Sequence, residues 1–204
     1  MGNGGIEMKH LFLARHGSYR IREKLDKEGN PVYITIEEGI EYEKVMEEIL
    51  NNDGQKQMEK LGNAIKEILK GGSAYIISSA APRAVDSSQI LAIQLGLPQE
   101  FEQSTYLWSG EGTPKDGFVF DYDNSTYDPA LDRVMKLLNE RSDKADGLVL
   151  LAHKELPMLF SSYFLEKEGL EKTWKWIGNP EIGYGRAVHL DLEQKIDKII
   201  PERY

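Results

Sequence analysis

Residues 9–17, Lys9-His10-Leu11-Phe12-Leu13-Ala14-Arg15-His16-Gly17, decide how this chain is read. Leu11 to Ala14 form a short apolar run, the mark of a buried strand. The run stops abruptly at Arg15-His16-Gly17. A strand that delivers an arginine and a histidine at its C-terminal tip, followed by glycine, puts them where open α/β sheets bind ligands. A guanidinium grips two oxygens of a phosphate, and a neutral imidazole beside it can attack phosphorus. Taken alone, the same three residues also read as an exposed Arg-His pair at a strand end. The remainder of the chain separates the two.

Two further apolar runs end in the same way. Ala74–Ser78 is followed by Ser79-Ala80-Ala81-Pro82-Arg83 and a helix with Val85, Leu91, Ala92 and Leu95, closed by Gly96. That helix N-terminus offers free amides and a positive dipole end to an anion. Leu148–Ala152 runs into His153, and Leu156, Leu159, Phe160, Tyr163 and Phe164 mark the helix after it. Met58, Leu61, Ile65, Ile68 and Leu69 form one face of another helix, stopped by Gly71-Gly72. Asp128-Pro129 reads as a helix start, continued by Leu131, Val134, Leu138 and Arg141.

Three buried strands alternating with amphipathic helices predict an α/β protein, a three-layer α/β/α sandwich with a mostly parallel mixed sheet. Glu28-Gly29-Asn30-Pro31 signals a turn, Val32–Ile36 a short strand, and Tyr42, Val45, Met46 and Ile49 recur at helical spacing. Asn51-Asn52-Asp53-Gly54 is expected to break that helix. Ala187–Leu192 alternates and predicts a half-exposed strand at a sheet edge. Residues 99–126 are irregular and carry Phe101, Tyr106, Trp108, Phe118, Phe120 and Tyr122, either a cover over a pocket or packing on the domain's own flank.

At 204 residues the chain is the size of one domain, 1–204, with the 99–126 segment as a cap. A formal net charge of −9 argues against general binding to nucleic acid or an anionic membrane, so an anionic ligand needs a local cationic cluster. With no cysteine, disulfides, thiolate metal sites and cysteine nucleophiles are excluded. The N-terminus lacks a signal-like apolar core, and Ile6 stands where a myristoylation signal wants Ser or Thr, so the chain reads as cytoplasmic.

If the three strands are parallel neighbours, Arg15, His16, Arg83 and His153 converge on one crevice. Two arginines and two histidines around one point make a phosphate pocket, one histidine the nucleophile and the other a stabiliser of the transferring charge. With these residues in view, the sequence resembles the histidine phosphatase superfamily, the phosphoglycerate-mutase-like proteins. Leu13-Ala14-Arg15-His16-Gly17 is similar to its Arg-His-Gly signature, and Asp53-Gly54-Gln55-Lys56-Gln57 to its Gly-x-x-Gln element. Residues 78–88, SSAAPRAVDSS, resemble its second-arginine segment, 149–153, VLLAH, its second-histidine strand, and AVHLDL its closing strand. The resemblance implies a phosphorylated nucleophile at His16, with Arg15, Gly17, Arg83 and His153 holding the phosphoryl group. It implies no cofactor and no metal, since cationic side chains supply the charge. The implied substrate is a phosphorylated small molecule or phosphoprotein. The leading expectation is a phosphatase acting on a phosphomonoester or phosphohistidine; a phosphomutase and a non-catalytic phosphate-binding regulatory module are the alternatives.

Tyr19 and Arg22 stand where the superfamily often has Thr and Asn. Arg22 either adds a phosphate-facing cation or is an exposed charge. The general acid has no clean match. Glu155 follows His153 in the His-x-Glu manner of some branches, while Glu102 and Glu111 qualify by position. Structural roles are expected for His10 and His189, and core or rim positions for Trp174 and Trp176, with Asn179 nearby.

Overall fold

The structure, a computed structural model, describes residues 8–37, 41–44, 46–109, 129–168 and 182–201. The backbone alone is described at 22–23, 33–37, 41–44 and 46–47. In chain order the strands are β1 (His10–Arg15), β2 (Tyr19–Glu23), β3 (Tyr33–Glu37), β4 (Glu41–Lys44), β5 (Met46–Leu50), β6 (Ala74–Ser79), β7 (Glu102–Ser104), β8 (Gly147–Ala152), β9 (Ala187–Asp191) and β10 (Ile196–Ile200). The helices are α1 (Asn52–Leu69), α2 (Pro82–Leu95), α3 (Pro129–Asn139) and α4 (Glu155–Lys167). A single 3₁₀ turn covers Thr105–Leu107.

Six strands form one sheet in the order β10-β9-β1-β8-β6-β7. β1, β8, β6 and β7 are parallel, while β9 runs antiparallel to both β1 and β10. The apolar run of β1 is wholly buried because both its faces are covered. Leu11 and Leu13 face the layer of α3 and α4, with Leu138, Phe160 and Phe164. Phe12 and Ala14 face the layer of α1 and α2, with Met58, Leu61, Ile65 and Leu91. The expected three-layer α/β/α arrangement is the one observed. Truncating any of these fully buried leucines to alanine costs about 2–5 kcal/mol through lost burial and the cavity left behind.

Three expectations are corrected. The segment predicted as a helix around Tyr42–Ile49 is extended in its described residues: β4 pairs with β3, and β5 with β2 in the register Tyr19↔Leu50 to Glu23↔Met46. Aromatic and β-branched residues at coincidentally helical spacing favour extended backbone once a partner strand is present. Asn51 therefore does not end a helix but starts one. Its Oδ1 accepts from Gly54 N at 2.8 Å, capping α1, which closes on Lys70 in the left-handed conformation. Finally, β9 is not an edge strand, since β10, unforeseen, covers its outer side and all five of its residues are buried. Arg141 lies just beyond α3, where it pairs with Glu102.

Candidate active site

The C-terminal tips of β1, β6 and β8 are neighbours because β8 lies between the other two. Arg15 ends β1, with His16 beyond it. Arg83 opens α2 after β6, and His153 follows β8. His16, Arg83 and His153 are buried at 4%, 8% and 3% exposure, so these polar side chains face one another and not water.

The loop after β1 is held by backbone contact. A Cβ on Gly17 would lie 2.6 Å from Gly54 O, and one on Gly54 would lie 2.0 Å from Ser18 O, so only glycines allow the tip of β1 to rest on the first turn of α1. Ser18 N donates to Gln57 Oε1 (2.9 Å) and Ser18 Oγ to Asn51 Oδ1 (2.7 Å). Gly17 N donates to Ser87 Oγ on α2 (3.1 Å). The Gly54-x-x-Gln57 element thus clamps the loop that carries His16. On the other side, Gly185 N donates to His16 O (3.0 Å). Gly185 has φ 62°, and a Cβ there would lie 2.4 Å from that of Gln57.

Arg83 organises the interior and determines both imidazole tautomers, since a guanidinium only donates. Its Nε donates to His16 Nε2 (3.3 Å), so that nitrogen carries a lone pair. His16 Nδ1 then bears the proton and donates to Gly17 O (2.8 Å). Arg83 Nη2 donates to His153 Nδ1 (3.0 Å), leaving His153 Nε2–H to donate to Ser79 Oγ (3.0 Å). The His16 and His153 rings meet edge to face at 5.2 Å.

Burial, with Arg83 and Arg15 adding repulsion, lowers the His16 pKa from 6.5 to about 3, against the opposing Gly17 hydrogen bond. Burial, Arg83, His16 and Arg15 lower that of His153 to about 2. Both imidazoles are neutral near pH 7, the form a nucleophile requires. Arg15 Nη1 donates to Ile182 O (2.8 Å), and its guanidinium lies 3.8 Å from the Tyr184 ring centroid. Arg15 Nε is buried without a hydrogen-bond partner.

Three contributors lay beyond the sequence reading. Glu48 of β5 forms an ion pair with Arg83 Nη1. Tyr19 and Tyr184 flank His16 at ring distances of 5.4 and 5.5 Å. Tyr19 was noted only as a departure from the superfamily pattern; its ring also lies 5.1 Å from the Arg83 guanidinium. Nothing local marks Glu48 or Tyr184, because β2–β5 pairing and the turn before β9 bring them to the site.

Among the acid candidates, Glu155 opens α4 and accepts from Ser109 Oγ at 2.7 Å. Ser109 O in turn faces Arg83 Nη2 at 3.5 Å. Glu102 is engaged elsewhere, by Arg141 Nε (2.8 Å), Arg141 Nη2 (3.1 Å) and Tyr75 Oη (3.0 Å). Glu111, Trp174, Trp176, Asn179 and the side chain of Arg22 lie outside the described residues, as does most of the 99–126 segment. In its described part, Phe101 and Trp108 pack on the α1/α2 layer and Tyr106 on the α3/α4 layer.

No family model matches the chain, and no curated protein does. Solved structures do. The protein histidine phosphatase SixA complexed with tungstate matches with a TM-score of 0.51 at 16% identity, covering 93% of each chain. Mycobacterial glucosyl-3-phosphoglycerate phosphatase Rv2419c in complex with VO3 matches with a TM-score of 0.55 at 19% identity, over 96% of this chain and 99% of that one. Mycobacterial hydrolase 1 matches with a TM-score of 0.54 at 19% identity, over 90% and 89%. At such identities the likeness is one of architecture, and that architecture is the phosphoglycerate-mutase-like fold of the solved histidine phosphatases.

Proposed function

We propose that this protein is a phosphatase that hydrolyses a phosphomonoester or phosphohistidine through a covalent intermediate on His16. One observation carries the reading: His16 Nε2 holds a lone pair at the centre of the cluster, beside the Arg83 guanidinium and next to His153. In the first step that lone pair attacks phosphorus as the P–O bond, or the P–N bond of phosphohistidine, breaks. The leaving group takes a proton, for which Glu155, held by Ser109, is the proposed donor. Arg15, the Gly17 loop, Arg83 and His153 hold the phosphoryl oxygens as charge spreads over them. Water then attacks phosphorus, the P–N bond to His16 breaks, and inorganic phosphate leaves. The entering phosphoryl group displaces the Glu48 carboxylate from Arg83.

The names of the solved neighbours, a protein histidine phosphatase and a glucosyl-3-phosphoglycerate phosphatase, support a phosphorylated substrate of either kind. Among the described residues no helix is long and apolar enough to cross a membrane. A cytoplasmic, single-domain enzyme belongs to the same proposal.

The test is turnover of p-nitrophenyl phosphate with EDTA present, together with trapping of an acid-labile phosphoryl adduct. His16→Ala should abolish both while the circular dichroism spectrum is unchanged. A His16→Ala protein that keeps a tenth of wild-type turnover overturns the assignment.

A further inference from the structure

At the other end of β1, roughly 16 Å from the tips by strand rise, lies a second cluster of ligating side chains. His10 begins β1 and stands directly opposite Asp191, the last residue of β9. His189 is two residues earlier on β9, so its side chain shares the face of Asp191. His10 Nδ1 and His189 Nε2 are 3.1 Å apart, and His10 Nδ1 is 3.8 Å from Asp191 Oδ2. One ligating atom from each of the three lies within 4.8 Å of both others.

We propose that His10, His189 and Asp191 form a binding site for one divalent first-row transition cation of the zinc type. Metal–nitrogen bonds of about 2.0–2.1 Å in tetrahedral geometry separate ligand atoms by about 3.3 Å. The observed 3.1 and 3.8 Å straddle that spacing. A hydrogen bond between the imidazoles accounts for the first distance but not for the approach of Asp191 Oδ2 to the same His10 nitrogen. Two imidazoles and a carboxylate suit zinc, cobalt or nickel better than magnesium or calcium, which prefer all-oxygen shells.

The surroundings fit such an ion. Asp191 Oδ1 accepts from Gln194 N (2.8 Å), which orients the carboxylate and leaves Oδ2 toward His10. The His189 ring stacks on Phe12 at 4.7 Å and 16°, which fixes its plane with Nε2 toward His10. A cavity of about 570 Å³ adjoins the cluster, so a fourth position faces solvent. The last turn of α1 lines this cavity, and a helix C-terminus favours positive charge. Lys198, opposite His189 in register, and Lys70 oppose a cation there, whereas Glu67, Asp146 and Glu193 favour it. Lys9 is drawn off toward Asp146 and Glu193, 3.8 Å from each. The ion would tie the start of β1 to the end of β9, away from the phosphate pocket.

Calorimetric titration of the chelator-treated, dialysed protein with Zn²⁺ tests the site. One equivalent should bind the wild type and His16→Ala alike. His10→Gln and Asp191→Asn, the latter retaining an acceptor for Gln194 N, should each bind about tenfold or more weakly, the lower bound for disturbing a metal shell. Hydrolysis of p-nitrophenyl phosphate should be unaffected in those two variants, which separates this proposal from the phosphatase reading. Absence of saturable binding to the wild type overturns it, as does wild-type affinity in both variants. Should a variant fail to fold, Co²⁺ added to the wild type decides: paramagnetic broadening of His10 and His189 ring protons supports the site, and broadening of His16 and His153 instead refutes it.

Discussion

Replacing Glu48 by glutamine should tighten the binding of inorganic phosphate about tenfold. The Glu48 carboxylate is paired with Arg83, the residue that also touches His16 and His153, so an anion entering the pocket must compete with it. The two side chains are 26% and 10% exposed. Hydrogen bonds to charged groups contribute about 1.5–3 kcal/mol, and the partial exposure of Glu48 places this pair at the lower end. About 1.4 kcal/mol corresponds to a factor of ten in affinity. Glutamine keeps the size of the side chain and an oxygen that can still accept from the guanidinium, but it loses the charge, so its hold on Arg83 is weaker. Competitive inhibition of p-nitrophenyl phosphate hydrolysis by phosphate measures the effect, with isothermal titration as a direct check. The gain should shrink as ionic strength rises, because part of it is screened Coulomb attraction. An inhibition constant within twofold of wild type, or a weaker one, refutes the competition and makes Glu48 a support that aims Arg83.

Arg83→Lys keeps a positive charge but loses the fork that reaches both imidazoles, so vanadate or phosphate binding should weaken by roughly 1–3 kcal/mol, and an unchanged inhibition constant places Arg83 outside the binding step. Glu155→Gln should slow hydrolysis of alkyl phosphates by about 10²- to 10⁴-fold while largely sparing p-nitrophenyl phosphate, whose leaving group needs no proton. Glu102→Gln should show no such split, because Arg141 and Tyr75 engage that carboxylate; a split there instead transfers the acid role. The lowered pKa values of His16 and His153 also set a pH dependence of stability. Below pH 6.5 the unfolded imidazoles take up protons that the folded ones refuse, so stability is complete above that pH and declines beneath it, by up to about 1.4 kcal/mol per pH unit for each group. Urea midpoints measured from about pH 6 to about pH 4 should fall less steeply in His153→Gln than in wild type. Equal slopes would show that His153 titrates normally in the folded chain.

What the amino-acid sequence determined by itself was local. Buried strands announce themselves as uninterrupted apolar runs, and those of β1, β6 and β8 led directly to Arg15, His16, Arg83 and His153 at their tips. The amphipathic faces of α1, α2, α3 and α4 were equally legible, because a helix buries its stripe at a period that the sequence carries on its own. The Gly54-x-x-Gln57 element was visible too, although its purpose, a backbone contact with Gly17, was not. Tertiary structure decided everything that rests on a distant partner. Residues 41–50 carry a helical spacing, yet 41–44 and 46–50 lie extended, because β3 and β2 offer them backbone hydrogen bonds. β9 alternates like an edge strand yet is buried, because β10 covers its outer side. Glu48 reaches the site through the β2–β5 pairing, Tyr184 through the turn before β9, and His10 meets His189 across 179 residues of chain through the β1–β9 pairing. A strand's exposure and neighbours are properties of the sheet it joins, and they are set by pairing between segments far apart in the chain, which no short window of residues contains.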